Sequence, residues 1–294
     1  MCMKETIRHI GRGAAMGCAD IIPGISGGSV ALILGFYERL IAAISTLGYS
    51  TIGRLFTFRW VSLWKQSDGG FLAPLLAGIL GGILFCTHIV GLPHLLEVYP
   101  EPVYGLFFGL ILGSIFMLLG HYKPLALDDY SALVPGALLV WLFLQVTPVD
   151  MPHDPIPMFF YGIIASSAML LPGISGSFLL LLFGQYETII RAIADGDASI
   201  LFPLLLGIFC GLAVMARFIR ALLYFHERTT LVLMVGVLIG SLWRIWPFQT
   251  VNGEGISAPY IPMGTADFVS ESFAFILLGM VIVYGIDKTS QRAN

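Results

Sequence analysis

Two stretches of this chain repeat each other in register: Pro23-Gly24-Ile25-Ser26-Gly27-Gly28-Ser29 and Pro172-Gly173-Ile174-Ser175-Gly176-Ser177. Each interrupts an apolar run. Each is followed at the same distance by a Gly-x-Tyr-Glu element, which is Gly35, Tyr37 and Glu38 in the first copy and Gly184, Tyr186 and Glu187 in the second. One offset of 149 residues superposes Pro, Gly, Ile, Ser, Gly, Leu32 on Leu181, the Gly-x-Tyr-Glu residues, and Ile41 on Ile190. So many residue types holding one register mark an internal duplication. The chain must therefore fold as two copies of one unit, each built around a Pro-Gly break.

Composition decides the solvent. Of 294 residues 57% are hydrophobic and 11% charged, with a mean hydropathy of +0.89. Soluble proteins carry about 25% charged residues, so this is an all-α polytopic membrane protein. A helix needs about 20 apolar residues to cross a bilayer. Runs of that quality occur at 71–92, 103–120, 131–147, 200–216, 230–247 and 269–287. The motif regions, 13–46 and 158–194, are different: each has two apolar arms too short to cross alone, joined by the Pro-Gly break.

Positive charge favours the cytoplasm and orients these runs. Lys4, Arg8 and Arg12 precede the first motif and Arg54, Arg59 and Lys65 follow it, so both its flanks are cytoplasmic and the motif is a re-entrant hairpin. The loops 93–102, 148–157 and 249–268 carry no Lys or Arg and lie outside. Lys123, the Arg217-to-Arg228 connection and the Lys288/Arg292 end lie inside; Arg191 and Arg244 sit against the rule. Both termini are expected in the cytoplasm. Each repeat, 1–150 and 151–294, is then one hairpin plus three spanning helices. Three is odd, so the repeats have inverted topology and the hairpins dip in from opposite faces. Matching glycines, Gly78 and Gly82 with Gly207 and Gly211, and Gly109 and Gly113 with Gly236 and Gly240, read as close helix packing.

Other classes lack support. There is no basic stripe interleaved with aromatics, so nucleic acid is not a partner. Cys2, Cys18, Cys86 and Cys210 are scattered, without ligand spacing to a histidine, and no metal is expected. Cys18, Cys86 and Cys210 read as small core hydrophobes. The Gly-rich stretch broken by Pro23 does not form the plain apolar core of a cleavable signal.

Irregular backbone at membrane depth is tolerated only where it is buried or lines a wet cavity. A Pro-Gly-x-Ser-Gly turn opening a helix aims unpaired N–H groups at one spot, where an anion is favoured. The alternative is that Pro and Gly only kink packed helices. The binding candidates are Ser26, Gly27, Gly28, Ser29, Ser175, Gly176 and Ser177, with Arg39, Arg191 and Arg12 as sources of positive charge. Intramembrane carboxylates are costly and functional, so Glu38, Glu187 and Asp20 are candidates for proton or Na⁺ coupling, although Met169 replaces Asp20 in the second copy. No cofactor is implied. Tyr37 and Tyr186 read as interface anchors. Two such turns meeting near the midplane is the layout of an alternating-access carrier.

The pair P-G-I-S-G-G-S and P-G-I-S-G-S, each followed by G-x-Y-E, together with A-D-I-I-P-G-I-S-G-G near the N-terminus, resembles a bacterial and archaeal family over nearly the whole chain. That family was first catalogued as domain of unknown function 368 and is described as polyprenyl-phosphate (undecaprenyl-phosphate) transporters. The resemblance implies a cytoplasmic-membrane lipid carrier that returns undecaprenyl phosphate from the outer to the cytoplasmic leaflet. Its partners would be that lipid and the surrounding membrane lipids; a homo-oligomer is left open. Undecaprenyl-pyrophosphate phosphatases also use inverted repeats, with a similar P-G-x-S-R-S signature. Here Gly27 or Gly176 stands at the arginine position and no E-x-x-x-E pair precedes it, so stabilising a transferring phosphoryl group is hard and no enzyme is expected. A small-anion channel or carrier is the third reading.

Overall fold

A computed structural model describes residues 3–21, 26–46, 60–121, 125–145, 152, 154–251, 257–262 and 268–293. Its helices are α1 (Met3–Asp20), α2 (Gly27–Ile33), α3 (Tyr37–Ser45), α4 (Trp60–Gln66) and α5 (Gly69–Leu84), which runs on as a π-helical Phe85–Ile89. Then come α6 (Leu92–Val98), α7 (Pro100–His121), α8 (Leu127–Phe143), α9 (Pro155–Leu170), α10 (Gly176–Leu182), α11 (Tyr186–Asp195), α12 (Ala198–Ile245) and α13 (Val269–Ala293). Between α12 and α13 lies a small antiparallel ribbon, β1 (Gln249–Val251) and β2 (Ser257–Pro259), with Thr250 opposite Ala258.

The chain is an all-α polytopic membrane protein, as its composition demands. Gly69–Ile89, Pro100–Gly120, Ala198–Ile245 and Val269–Ile286 are long and apolar enough to cross, and only 22–33% of each apolar window is buried. Leu76, Leu80, Phe202, Leu205, Leu277 and Val281 point outward, which only a lipid solvent tolerates on this scale. Two expected boundaries shift. The Arg217-to-Arg228 stretch, read as a connection, is helical within α12 except at His226 (φ −143, ψ 53). The 93–102 loop contains α6.

The chain divides into two compact units, Met1–Cys86 with Pro148–Phe225, and Thr87–Thr147 with His226–Asn294. Each takes corresponding elements from both halves of the sequence. In the first, α1 packs on α5 and α9 on the first arm of α12. Small residues make both approaches possible. A Cβ at Gly13 would strike the Leu75 carbonyl oxygen and one at Gly78 that of Ile10. In the second copy Gly162 meets the Leu204 carbonyl and Gly207 that of Phe159. These contacts keep the sequence register, so one helix interface is built twice.

The second unit pairs α7 with α13 and α8 with the second arm of α12. Gly109 faces the Ile276 carbonyl and Gly279 that of Leu106; correspondingly, Gly236 faces Leu133 and Gly136 faces Leu233. The G-x-x-x-G pairs are therefore packing devices, as expected. The pairing is crossed: the second helix of each half packs on the third helix of the other. Arg228 fixes the start of α8, donating to Asp129 at 2.9 and 2.6 Å.

Candidate functional site

Both motifs belong to the first unit and share one local design: a long helix, a break, a short helix turned back on it, and a further helix. In the first copy Ser26 is the N-cap of α2, its side chain accepting the Gly28 N–H at 3.0 Å. Asp20, the last residue of α1, accepts the Gly27 N–H through Oδ1 at 2.6 Å. Ser29 and Val30 donate to the Ser26 carbonyl at 2.9 and 3.4 Å. The opening amides of α2, orphans in any helix, are thus taken up by the chain itself. Pro23, Gly24 and Ile25 lie outside the described residues.

The second turn is assembled differently. Gly173 adopts φ +85, a conformation open at little cost only to glycine. Ser175 precedes α10 but gives it no side-chain cap; its hydroxyl bonds that of Ser177 at 2.8 Å. Gly176 brings α10 against α9, where a Cβ would lie 2.7 Å from the Ala165 carbonyl oxygen.

The start of α2 and Tyr37 touch the end of α9 and the second turn. Ser26 Oγ donates to the Met169 carbonyl at 2.9 Å, Tyr37 OH to the Leu170 carbonyl at 2.7 Å, and the Gly173 N–H to Ser29 Oγ at 2.7 Å. Met169 and Leu170 end α9, so their carbonyls have no amide a turn further on to receive. Side chains of the first copy satisfy them, and Ser29 satisfies an amide of the second turn. Ser26, Ser29, Tyr37, Leu170 and Gly173 are buried, where an unmet polar group costs about 1–3 kcal/mol. Gly28 sits at the contact, with space for a Cβ only 3.1 and 3.2 Å from the Met169 and Leu170 carbonyl oxygens.

Each hairpin has a second break that the apolar pattern hides. Gly35 and Gly184 both adopt φ +66, ending α2 and α10 so that α3 and α11 begin as separate helices. The expected single second arm is therefore two helices. The repeated Gly-x-Tyr-Glu was the signal: glycine for the left-handed position, then Tyr and Glu at a helix start. Tyr37 also corrects an expectation. It is not an interface anchor but a buried tie between the copies, 2% exposed against 42% for Tyr186.

The charged candidates separate into groups. Asp20 is at the turns, its Oδ2 buried without a hydrogen-bond partner. Glu38 and Glu187 lie on exposed faces of α3 and α11. Glu187 pairs with Arg191 at 3.2 Å one turn along α11, a contact worth a few tenths of a kcal/mol, roughly. Arg39 pairs with Asp68 at 2.7 Å and stacks on Phe71; Arg12 stacks on Phe36. The structure thus brings Ser26, Gly27, Gly28, Ser29 and Asp20 together with Gly173 and the end of α9, with Ser175, Gly176 and Ser177 following at the start of α10. It places Arg12, Arg39 and Arg191 on other contacts. Cys18 and Cys86, read as core hydrophobes, form a disulfide between α1 and the π-helical segment, with Cα atoms 5.8 Å apart. Their spacing gave no hint, because helix packing alone brings them together. Among the described residues no three His, Cys, Asp or Glu side chains form a metal-binding group.

Comparison with known proteins points one way. The family model described as undecaprenyl phosphate translocase-like matches residues 16–258. A polyprenyl-phosphate transporter of Vibrio cholerae serotype O1 is 30% identical over 297 aligned residues, covering 96% of this chain and 96% of that protein. A polyprenyl-phosphate transporter of Staphylococcus aureus is 31% identical over 262 aligned residues, covering 83% of this chain and 87% of its own. No solved structure matches.

Proposed function

This chain belongs to the undecaprenyl phosphate translocase-like family, and we propose that it moves polyprenyl phosphate across the cytoplasmic membrane by alternating access. In this reading the phosphate is held at the paired turns while the polyprenyl tail stays in lipid. The observation that carries it is the contact between the two copies of the motif through Ser26, Ser29 and Tyr37. Irregular backbone that pairs across a duplication, inside a lipid-solvated helical protein, fits a carrier's central site. Ser175 and Ser177, which leave α10 without a side-chain cap, offer the ligand hydroxyls and opening amides. The doubled helix interfaces and the crossed pairing of second with third helices support two repeats, which we take to have inverted topology. Transport runs from the outer to the cytoplasmic leaflet, with both termini inside.

Asp20 is the carboxylate best placed to couple the cycle to protons or Na⁺, because it already holds the Gly27 amide and keeps one buried oxygen unpaired. Proteoliposomes containing labelled undecaprenyl phosphate test the reading. The wild-type protein is expected to move label between leaflets and to release no phosphate, and Asp20→Asn to flatten the pH dependence of that movement. Phosphate release without movement would replace the carrier by a hydrolase; unchanged pH dependence in Asp20→Asn would remove the coupling role.

A further inference from the structure

The first hairpin carries a second cluster that the turns do not use. Phe36 and Phe71 are buried and meet edge to face with ring centroids 6.1 Å apart. Arg12 lies over the Phe36 ring at 4.9 Å and Arg39 over the Phe71 ring at 4.5 Å. His9, 1% exposed, packs its ring on Phe71 at 5.0 Å and leaves Nδ1 buried without a partner. Burial, and then the charges of Arg39, Arg12 and Arg8, hold the His9 pKa below its ordinary value, against a smaller opposing effect of Glu5. Among the described residues Arg39 has Asp68 as its ion-pair partner, and no carboxylate pairs with Arg8 or Arg12.

We propose that Arg12 and Arg39, seated on Phe36 and Phe71 at the base of the first hairpin, bind a phosphate monoester at a station separate from the turns. A guanidinium seated over a ring gains the cation–π contact and still has N–H groups to offer oxyanions. A phosphate bridging two such groups is held bidentately and gains charge-assisted hydrogen bonds. Asp68 is not an obstacle, since its pair with Arg39 is about half exposed and such pairs are weak. The buried rings fix both cations before any ligand arrives, so little ordering is required on binding. Arg12, Met16 and Asp20 follow one another at four-residue steps on α1, and Met16 and Asp20 both abut Gly27. Eight residues of helix make the station about 12 Å from the turn. A headgroup leaving the turns along this stripe meets Arg12 next.

Naming a lipid monoester as the ligand rests on the carrier reading; the anion site itself rests on the cluster. Calorimetric titration of the purified full chain with farnesyl phosphate and with inorganic phosphate tests it. The double variant Arg12→Gln/Arg39→Gln is expected to bind farnesyl phosphate at least about tenfold more weakly, with Arg12→Lys intermediate and the exposed Lys288→Gln unchanged. Mass-spectrometric mapping of arginine modification needs no variant: phosphate ligand should protect Arg12 and Arg39 in the wild-type protein. Equal binding of both ligands identifies a site for the phosphate group alone, and binding of farnesyl phosphate only identifies a lipid headgroup site. Wild-type affinity in the double variant, or no protection of Arg12, overturns the proposal. Arginine-dependent binding without any lipid movement would keep the site and reject the carrier, whereas lipid movement with arginine-independent binding would do the reverse.

Discussion

A Gly28→Leu variant is expected to insert into the membrane yet move polyprenyl phosphate no faster than protein-free liposomes. Gly28 is where α2 crosses the end of α9, and even a methyl group there must push back the Met169 and Leu170 carbonyl oxygens, 3.1 and 3.2 Å away. An isobutyl group cannot fit. It would part the turns and strip the Ser26 and Tyr37 hydroxyls from their acceptors, exposing or orphaning buried polar groups at about 1–3 kcal/mol each. The helices outside the hairpins are untouched, so the protein should still assemble. Gly11→Leu is the matched control, because a Cβ at Gly11 meets nothing within 4 Å and the position is exposed. Leaflet-resolved transport at the wild-type rate in Gly28→Leu would show that contact of the turns is irrelevant to function.

The largest loss of stability is expected from leucine at Gly78 or Gly207. At each, the first side-chain carbon would overlap a carbonyl oxygen of the facing helix, that of Ile10 or Phe159. Without a hydrophobic force between helices in lipid, close packing is what joins them. Separating α1 from α5, or α9 from α12, therefore removes the main attraction. Overpacking typically costs about 1–3 kcal/mol, and overlap with backbone that cannot move aside belongs at or above the top of that range. Gly81 lies on the same helix as Gly78, but a Cβ there meets nothing within 4 Å. Thermal melting of the purified variants in detergent should show Gly81→Leu near wild type and the other two far below it. If Gly78→Leu melts with Gly81→Leu, the interface inferred from the duplicated glycines is wrong.

How much of this was legible in the sequence depends on which interaction fixed each feature. Solvent, helix class and duplication follow from composition and from one register holding across Ser, Gly, Tyr and Glu, because those are local and additive signals. The Pro172-Gly173 break was visible for the same reason. The second break was also written there, in Gly35 and Gly184, but left-handed backbone leaves no trace in hydropathy and was missed. Tyr37 and Tyr186 share a motif and a place in it, yet one is buried against Leu170 and the other exposed. Only the neighbouring copy decides that, and tertiary neighbours are not in a motif. The disulfide of Cys18 with Cys86 and the crossed pairing of α7 with α13 are of this kind too. Arg12 and Arg39 were marked by charge alone. What seats them side by side is two phenylalanines that sequence reading treats as ordinary core.

The central claim is that the duplicated turns form the transport site, and serine truncation tests it most directly. In leaflet-resolved assays with labelled undecaprenyl phosphate, Ser26→Ala and Ser175→Ala are each expected to slow movement markedly. Ser26→Ala should also lower the melting temperature, since it removes an N-cap worth about 0.5–2 kcal/mol and the bond to Met169. Ser175→Ala should melt closer to wild type, because Ser175 gives its helix no side-chain cap and loses only its bond to the Ser177 hydroxyl. Wild-type transport in both variants, alone and combined, would contradict the account.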